Sequence, residues 1–368
     1  MDDLAYWVAM SRVPGIGYGR LRQLKAHFGS LERAWGASCN QLTTSGLDER
    51  VATDFCEARK TLSPQSELAG LQRHGVCALT VYDPGYPLLL AETHDCPPVL
   101  YVRGQLPHSD SLLLAVVGTR RPTAYGRQVT AELVEGFVSA GVVTVSGLAR
   151  GIDTLVHRET LECGGTTIAV LAGGLDLVYP AENLTLAQRI LERGALISEH
   201  PPRTRLRREH FLRRNRIMSG MSRGTVVIEA GERSGALSTA RNALDQNREV
   251  FSVPGSIYSP ASGGTNRLIQ QGEGKLIMSS SDVLTEFGID PSLEKAERLH
   301  TWQADSVQVR LLAQMGSSPV HSDELARLLA LPSQDVAAAL TLMELHGIVR
   351  NLGSMHYVVT GRCRPEVS

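Results

Sequence analysis

Between residues 112 and 285, short apolar runs alternate with amphipathic stretches. The runs cover 112–117, 142–145, 167–171, 195–197, 225–228, 250–253 and 276–278. Unbroken apolar runs of this length suit strands that are buried on both faces. Between them, 126–140, 151–161, 184–193, 209–221, 236–246 and 266–271 carry apolar residues at helical spacing. Strand alternating with helix predicts an α/β fold built on a doubly wound, mainly parallel sheet.

The flanks follow other rhythms. Residues 1–60 read as short helices, with Leu21, Leu24 and Phe28 on one face of a helix from 19 to 28. Residues 61–111 are mixed, with strand-like runs at 78–82 and 99–102 and turn chemistry at Asp83-Pro-Gly-Tyr-Pro87. A polar linker is expected at 286–300. Beyond it, helices at 307–315, 322–330 and 333–346 precede a hairpin of 347–351 with 355–359. Three helices and a hairpin form the winged-helix pattern, and Ser322 reads as an N-cap. The expected division is 1–62 (small helical), 63–288 (α/β) and 300–364 (winged helix).

Composition narrows the function. The chain has 368 residues, 42% apolar and 20% charged, which suits a soluble protein of two or three domains. No apolar run approaches the ~20 residues of a membrane span. The acidic start, Met1-Asp2-Asp3, is unlike a secretory or transit peptide, and a cytoplasmic location is expected. The six cysteines are scattered without a CxxC pair. They read as reduced thiols packed as small apolar residues, with no metal set.

The formal net charge is −1, yet 203–223 holds eight arginines against one acid, Glu209. So local an excess implies an anionic partner. The cluster follows the end of a strand and contains Phe211. Arginine forks bind phosphates in bidentate fashion, and an aromatic ring offers a base a stacking face. The leading reading is a nucleic-acid surface on an α/β sheet.

Ligands of doubly wound sheets gather at the carboxyl ends of the strands, and the unusual residues fall there. Gly118-Thr-Arg-Arg-Pro122 follows the first core strand and Ser146-Gly-Leu-Ala-Arg-Gly-Ile-Asp153 the second. Ala172-Gly-Gly174, the arginine segment, Glu229-Ala-Gly-Glu-Arg-Ser-Gly235 and Gly263-Gly-Thr-Asn266 follow later ones. Glycines permit close backbone approach, and helix N-termini present amides to anions. Any one such loop can be a mere tight turn. Five beside the arginines read as a phosphate-binding rim.

No GxGxxG follows the first strand and no GxxxxGK[ST] occurs, while the one GxSxG match, Gly220 to Gly224, precedes a strand rather than forming a strand-to-helix turn, which disfavours a dinucleotide cofactor, an ATPase or a hydrolase elbow. Asp153, His157 and His200 read as structural rather than as acid/base groups. Glu199 and Glu229 read as partners of arginines. Arg120 and Arg121 rank as ligand contacts ahead of any carboxylate. Helical spacing spreads Arg213, Arg214 and Arg216 around their axis, so part of the cluster must face the fold. Pro14-Gly-Ile-Gly17, with Arg12, Arg20, Arg22 and Lys25 around it, resembles a helix-hairpin-helix turn, against a plain packing role. The helix at 333–346 has no Lys or Arg, a poor recognition helix for duplex DNA.

Six motifs in order resemble the DNA-processing protein A (DprA), or Smf, family of bacterial natural transformation. They are Val117-Gly-Thr-Arg-Arg-Pro-Thr-Ala-Tyr-Gly126, Ser146-Gly-Leu-Ala-Arg-Gly-Ile-Asp153, Phe211-Leu-Arg-Arg-Asn-Arg-Ile-Met-Ser-Gly220, Gly235-Ala-Leu-Ser-Thr-Ala240, Val253-Pro-Gly255 and Gly264-Thr-Asn-Arg-Leu-Ile269. The resemblance implies an extended Rossmann-like fold with a sterile-alpha-motif-like or helix-hairpin-helix N-terminal domain and a winged-helix C-terminal domain. It implies binding of single-stranded DNA without sequence preference, homodimerisation through the Rossmann-like domain, and loading of a RecA-type recombinase onto protected strands. No catalytic residue, metal or cofactor is implied. The expected contacts are Gly118, Thr119, Arg120 and Arg121, Phe211 as a stacking ring, Arg213, Arg214, Asn215 and Arg216, then Gly235, Ser238 and Asn266. Leu212 stands where family members often have proline.

Two alternatives remain. A nucleotide-processing enzyme of the phosphoribohydrolase (lysine-decarboxylase-like) superfamily would need a glutamate on the helix that here reads Ala236-Leu-Ser-Thr-Ala-Arg241. A transcription regulator would need a basic recognition helix.

Overall fold

The computed structural model describes residues 3–289, 305–315, 319–345, 348–351, 353 and 355–359. Most of the expected linker, together with His346 and Cys363, lies outside them. The chain divides into two compact units, 1–289 and 290–368.

The first unit is organised by one nine-stranded sheet. Its strands are β1 (Cys77–Thr80), β2 (Val99–Gly104), β3 (Leu113–Val117), β4 (Val143–Ser146), β5 (Thr167–Val170), β6 (Ala195–Ser198), β7 (Gly224–Val227), β8 (Glu249–Ser252) and β9 (Lys275–Leu276). Their order is β1-β2-β6-β5-β4-β3-β7-β8-β9. Strands β3 to β9 run parallel, while β2 pairs antiparallel with β6 and β1 antiparallel with β2. The two strand-like runs of the mixed segment thus extend the same sheet.

Every residue of β4, β5, β6 and β7 is buried, because helices cover both faces. Alternation sorts the side chains. Ala115 and Val117 join one core with Val145, Ile197 and Ile217, while Leu114 and Val116 join another with Val134, Phe137 and Phe251. Six short helices precede β1, from Leu4–Ser11 to Pro64–Arg73. Their Trp7, Leu21, Leu24 and Phe55 belong to the same apolar core as Tyr101, Ala169 and Leu196 of the sheet. Serines start several of these helices: Ser38 and Gln41 close a capping box, and Ser63 precedes Pro64 at the first helical position.

The second unit has helices Ser306–Gln314, Ser322–Leu329 and Ser333–Leu345 and a sheet of β10 (Val320–His321), β11 (Val349–Asn351) and β12 (His356–Val359), ordered β10-β12-β11. This is the winged-helix arrangement. The N-cap falls on His321, whose Nδ1 accepts from Asp323 N at 3.2 Å, one residue before the expected Ser322.

The cysteine reading needs correction. Cys39 and Cys56 are joined in a disulfide, with Cα atoms 6.2 Å apart. They sit on helices Cys39–Thr44 and Glu49–Ala58, which a tight turn folds side by side. A separation of 17 residues carries no sequence signature of that contact.

The carboxyl ends of the central strands are tied together by a buried cation. Arg214, on helix Arg208–Gly220, is only 5% exposed. Its guanidinium donates to the carbonyls of Gly147, after β4, and of Val170, at the end of β5, the latter at 2.7 Å. A Cβ at residue 147 would strike that guanidinium, so the position requires glycine. Asp153, also buried, attracts Arg214 and accepts from the amides of Ala149 and Gly147. Burial nevertheless drives the Asp153 carboxyl above its ordinary range and holds the Arg214 guanidinium below its own. One turn on, His157 is fully buried, with Nδ1 2.7 Å from Thr167 Oγ1. Burial first, and then Arg214, depress its pKa to about 3.

Two expectations follow from this network. Replacing Arg214 by Met strands Asp153 and two carbonyls, and urea unfolding should show a loss of about 3–5 kcal/mol. Adding Asp153→Asn should restore part of that loss; a single-variant cost below about 1 kcal/mol would show that the network is not structural. His157 binds its proton more weakly in the fold than in the unfolded chain. Its contribution is therefore complete above about pH 6.5 and is lost as pH falls toward 3. Between pH 7 and pH 5 this group should cost about 2 kcal/mol, a component absent from His157→Gln when the two proteins are unfolded in parallel.

Candidate nucleic-acid interface

Strands β3 and β7 are neighbours, but the chain leaves them in opposite directions, toward β4 and toward β8. This is the switch point, where the loops after adjacent strands part and open a crevice. The loop after β3 is wedged into place. Thr119 donates its amide to Glu229 O at 2.7 Å, and its own carbonyl accepts from Ile152 N at 3.1 Å. Gly151 packs against the backbone of Thr119 and Arg120 at φ +82°, where a Cβ would collide. With its backbone held on both sides, the loop presents Arg120 and Arg121 outward, and both are exposed.

Glu229 was expected to pair with arginine. It is instead 2% exposed, and its carboxylate accepts from Thr123 N and Oγ1 at 2.9 and 2.8 Å. It secures the start of helix Ala124–Ser139, and Gly126 leaves room for it. Glu199 does bind an arginine: Arg216, which also pairs with Asp95 at 3.3 Å.

Phe211 lies in the first turn of helix Arg208–Gly220, half-buried at the sheet's carboxyl edge. The Arg120 guanidinium stands 5.8 Å from its ring centroid, within cation–π range. Arg120 is also close enough to Arg214 and Asp153 for both to feel its charge. Arg203, Arg205, Arg208 and Arg213, in the same segment of chain, are exposed. Among the described residues none of these four, nor Arg120 or Arg121, has a carboxylate within ion-pairing distance, whereas Arg207 has Glu209 at 3.7 Å. The edge therefore carries uncompensated positive charge beside an aromatic face.

The expected contacts separate into two sets. Arg120 and Phe211 meet on the edge, Arg121 and Arg213 are exposed on the same loop and helix, and Gly118 and Thr119 belong to the backbone scaffold; Thr119 Oγ1 accepts from Arg121 N at 3.2 Å. Arg214 and Asn215 are buried, and Arg216 is occupied by acids. At 100° per residue, four consecutive helical positions cannot share one face. Asn215 Nδ2 donates to Ser238 Oγ at 2.8 Å, so this pair, with Gly235 O, locks two helices together. Asn266 braces Gly255 through both its amide groups, at 3.0 and 2.9 Å. Around the turn at Pro14 to Gly17, Arg12 pairs with Glu67, Arg20 with Asp48, and Lys25 with Asp3, so three of the four cations there are neutralised. Tyr179 was missed: it meets Phe211 edge-on, although only its place after Gly173-Gly174 marked it in the sequence.

Among the described residues no group of three or more His, Cys, Asp or Glu is placed to hold a metal ion, and no helix is long and apolar enough to cross a membrane.

Residues 77–288 match the DNA recombination-mediator protein A family, and residues 296–354 match the DprA winged helix domain. Protein Smf of Synechocystis is 34% identical, covering 97% of this chain and 98% of its own. The DNA processing protein DprA of Bacillus subtilis is 44% identical over 68% of this chain and 88% of its own. Among solved structures, DprA of Streptococcus pneumoniae superposes with a TM-score of 0.66 at 31% identity, covering 77% of this chain and 97% of that one. DprA of Helicobacter pylori, whose structure was reported for its unique single-stranded DNA binding mode, gives a TM-score of 0.53 at 30% identity, covering 58% of this chain and 95% of that one. With the doubly wound sheet, its arginine-lined edge and the winged-helix unit in place, the chain belongs to the DNA-processing protein A (DprA/Smf) family.

Proposed function

We propose that the carboxyl edge of the sheet binds single-stranded DNA without sequence preference and that the protein passes the strand, protected, to a RecA-type recombinase. The carrying observation is Arg120 seated over Phe211 among exposed arginines that lack acidic partners. Arginine supplies sequence-independent attraction to phosphates, and a ring accepts any base. The described single-stranded DNA binding mode of the Helicobacter pylori relative supports the same reading. Homodimerisation through the α/β unit, a cytoplasmic location and the division at 62 and 288 belong to this proposal.

On this reading the protein performs no chemistry. A phosphoribohydrolase-like activity would need an acid at the start of helix Ala236–Asp245, where none stands. Of the carboxylates nearest the edge, Asp153 is buried and Glu229 is committed to Thr123.

The test is binding of the full chain to an unlabelled-sequence oligothymidine and to a duplex of equal length, across a salt series. Phe211→Ala should weaken single-strand binding by about 1–3 kcal/mol with the salt slope unchanged. Arg120→Ala should weaken it and flatten the log–log salt slope by roughly 0.7. Duplex, whose bases are already paired, should bind less well. Unaltered affinity and slope in both variants would refute the proposal.

A further inference from the structure

The geometry points to Tyr179 as a second base-stacking surface, which with Phe211 forms a bent two-ring platform selecting strands that unstack easily. This rests on the single-strand reading above and adds to it a residue and a bias set by stacking strength alone, with no readout of base edges.

Tyr179 lies between β5 and helix Leu184–Arg193, 51% exposed. Its ring centroid is 5.8 Å from that of Phe211, with the planes at 71°. Arg120 approaches the same phenylalanine at 5.8 Å. Guanidinium, phenyl and phenol therefore adjoin at the edge, drawn from two loops and the first turn of helix Arg208–Gly220. Among the described residues the Tyr179 hydroxyl makes no hydrogen bond, so the ring is not held there as a polar anchor.

The segment that carries it is nonetheless fixed. Arg150 grips Glu182 through two hydrogen bonds of 2.9 and 3.0 Å. Asn183, buried, donates to Leu148 O at 2.9 Å and Thr154 Oγ1 at 2.8 Å. Both ties run to the loop after β4, the loop that Arg214 holds from beneath. Leu177, Leu184 and Leu212, in the same two segments, are 45%, 52% and 56% exposed. Rings held this firmly and left facing solvent suit a flat stacking ligand.

The angle between the rings adds a constraint. Neighbouring bases that stay stacked lie parallel and about 3.4 Å apart along a strand. Rings at 71° and 5.8 Å cannot both be covered by such a pair. One base on Phe211 and the next on Tyr179 requires the strand to turn between them. A thymidine run, which stacks weakly on itself, meets this bend at little cost, while an adenosine run must first unstack.

The experiment measures binding of the full-length protein to dT and dA oligomers of equal length. Wild type should favour dT. Tyr179→Ala should bind dT about tenfold or more weakly, with the salt slope retained and the dT-over-dA preference reduced. Tyr179→Phe should stay within about twofold of wild type. Tyr179→Leu, which keeps apolar bulk and guards against a packing defect, should behave like Tyr179→Ala. Tyr179→Trp should show added fluorescence quenching by dT. Wild-type affinity in both the Ala and Leu variants, with Phe211→Ala still impaired, overturns the second ring alone. Wild-type affinity in Phe211→Ala as well overturns it together with the single-strand reading.

Discussion

A cation enclosed by protein must find its counter-charge and acceptors inside, because water is not there to supply them. Arg214 is that cation here, and its needs are met by the carbonyls of Gly147 and Val170 and by the field of Asp153. These acceptors sit at the carboxyl ends of two adjacent parallel strands. Satisfying them fixes the rotation of helix Arg208–Gly220 about its own axis. The neighbours of Arg214 are then committed: Arg213 turns to solvent, Ile217 to the core, and Phe211, three residues earlier, to the rim. A buried cation and its carbonyl acceptors thus determine which way an exterior surface faces.

The same arrangement gives a chain with almost no net charge a locally positive surface. Its arginines are divided by partner. Those that brace the fold, such as Arg150, Arg216 and Arg248, have acids at Glu182, Glu199 and Glu92. Among the described residues, Arg120, Arg121, Arg203, Arg205, Arg208 and Arg213 have none. Charge is neutralised where it serves structure and left uncompensated where the sheet's switch point opens, so the field is local and fades within about a Debye length of the rim.

Much of the α/β unit could be read from its sequence, since a parallel sheet covered on both sides requires unbroken apolar strands, and 112–117, 142–145 and 195–197 are such runs. The arginine-rich segment and its aromatic were equally visible. Other features were not. β1 and β2 joined the parallel sheet as antiparallel strands, because pairing partners are set by topology rather than by local pattern. The direction of each side chain in Arg213-Arg-Asn-Arg216 depended on acceptors at Gly147 and Val170, contributed from distant parts of the chain. Asn215, Ser238 and Asn266 matched binding motifs, yet their hydrogen bonds run to one another or to loop backbone. The Cys39–Cys56 bridge left no local trace, and Tyr179 only its place after Gly173-Gly174, since each depends on a contact between segments that only the folded chain brings together.

Hydrogen exchange of the full chain, with and without a saturating dT oligomer, locates the bound strand without altering a residue. Slowed exchange should concentrate in 118–123, 176–182 and 203–213, leaving helix Ser333–Leu345 and the helices before β1 unchanged. Protection confined to the winged-helix unit or to the turn at Pro14, with the sheet edge exchanging as before, would place the strand elsewhere and contradict the assignment of that edge.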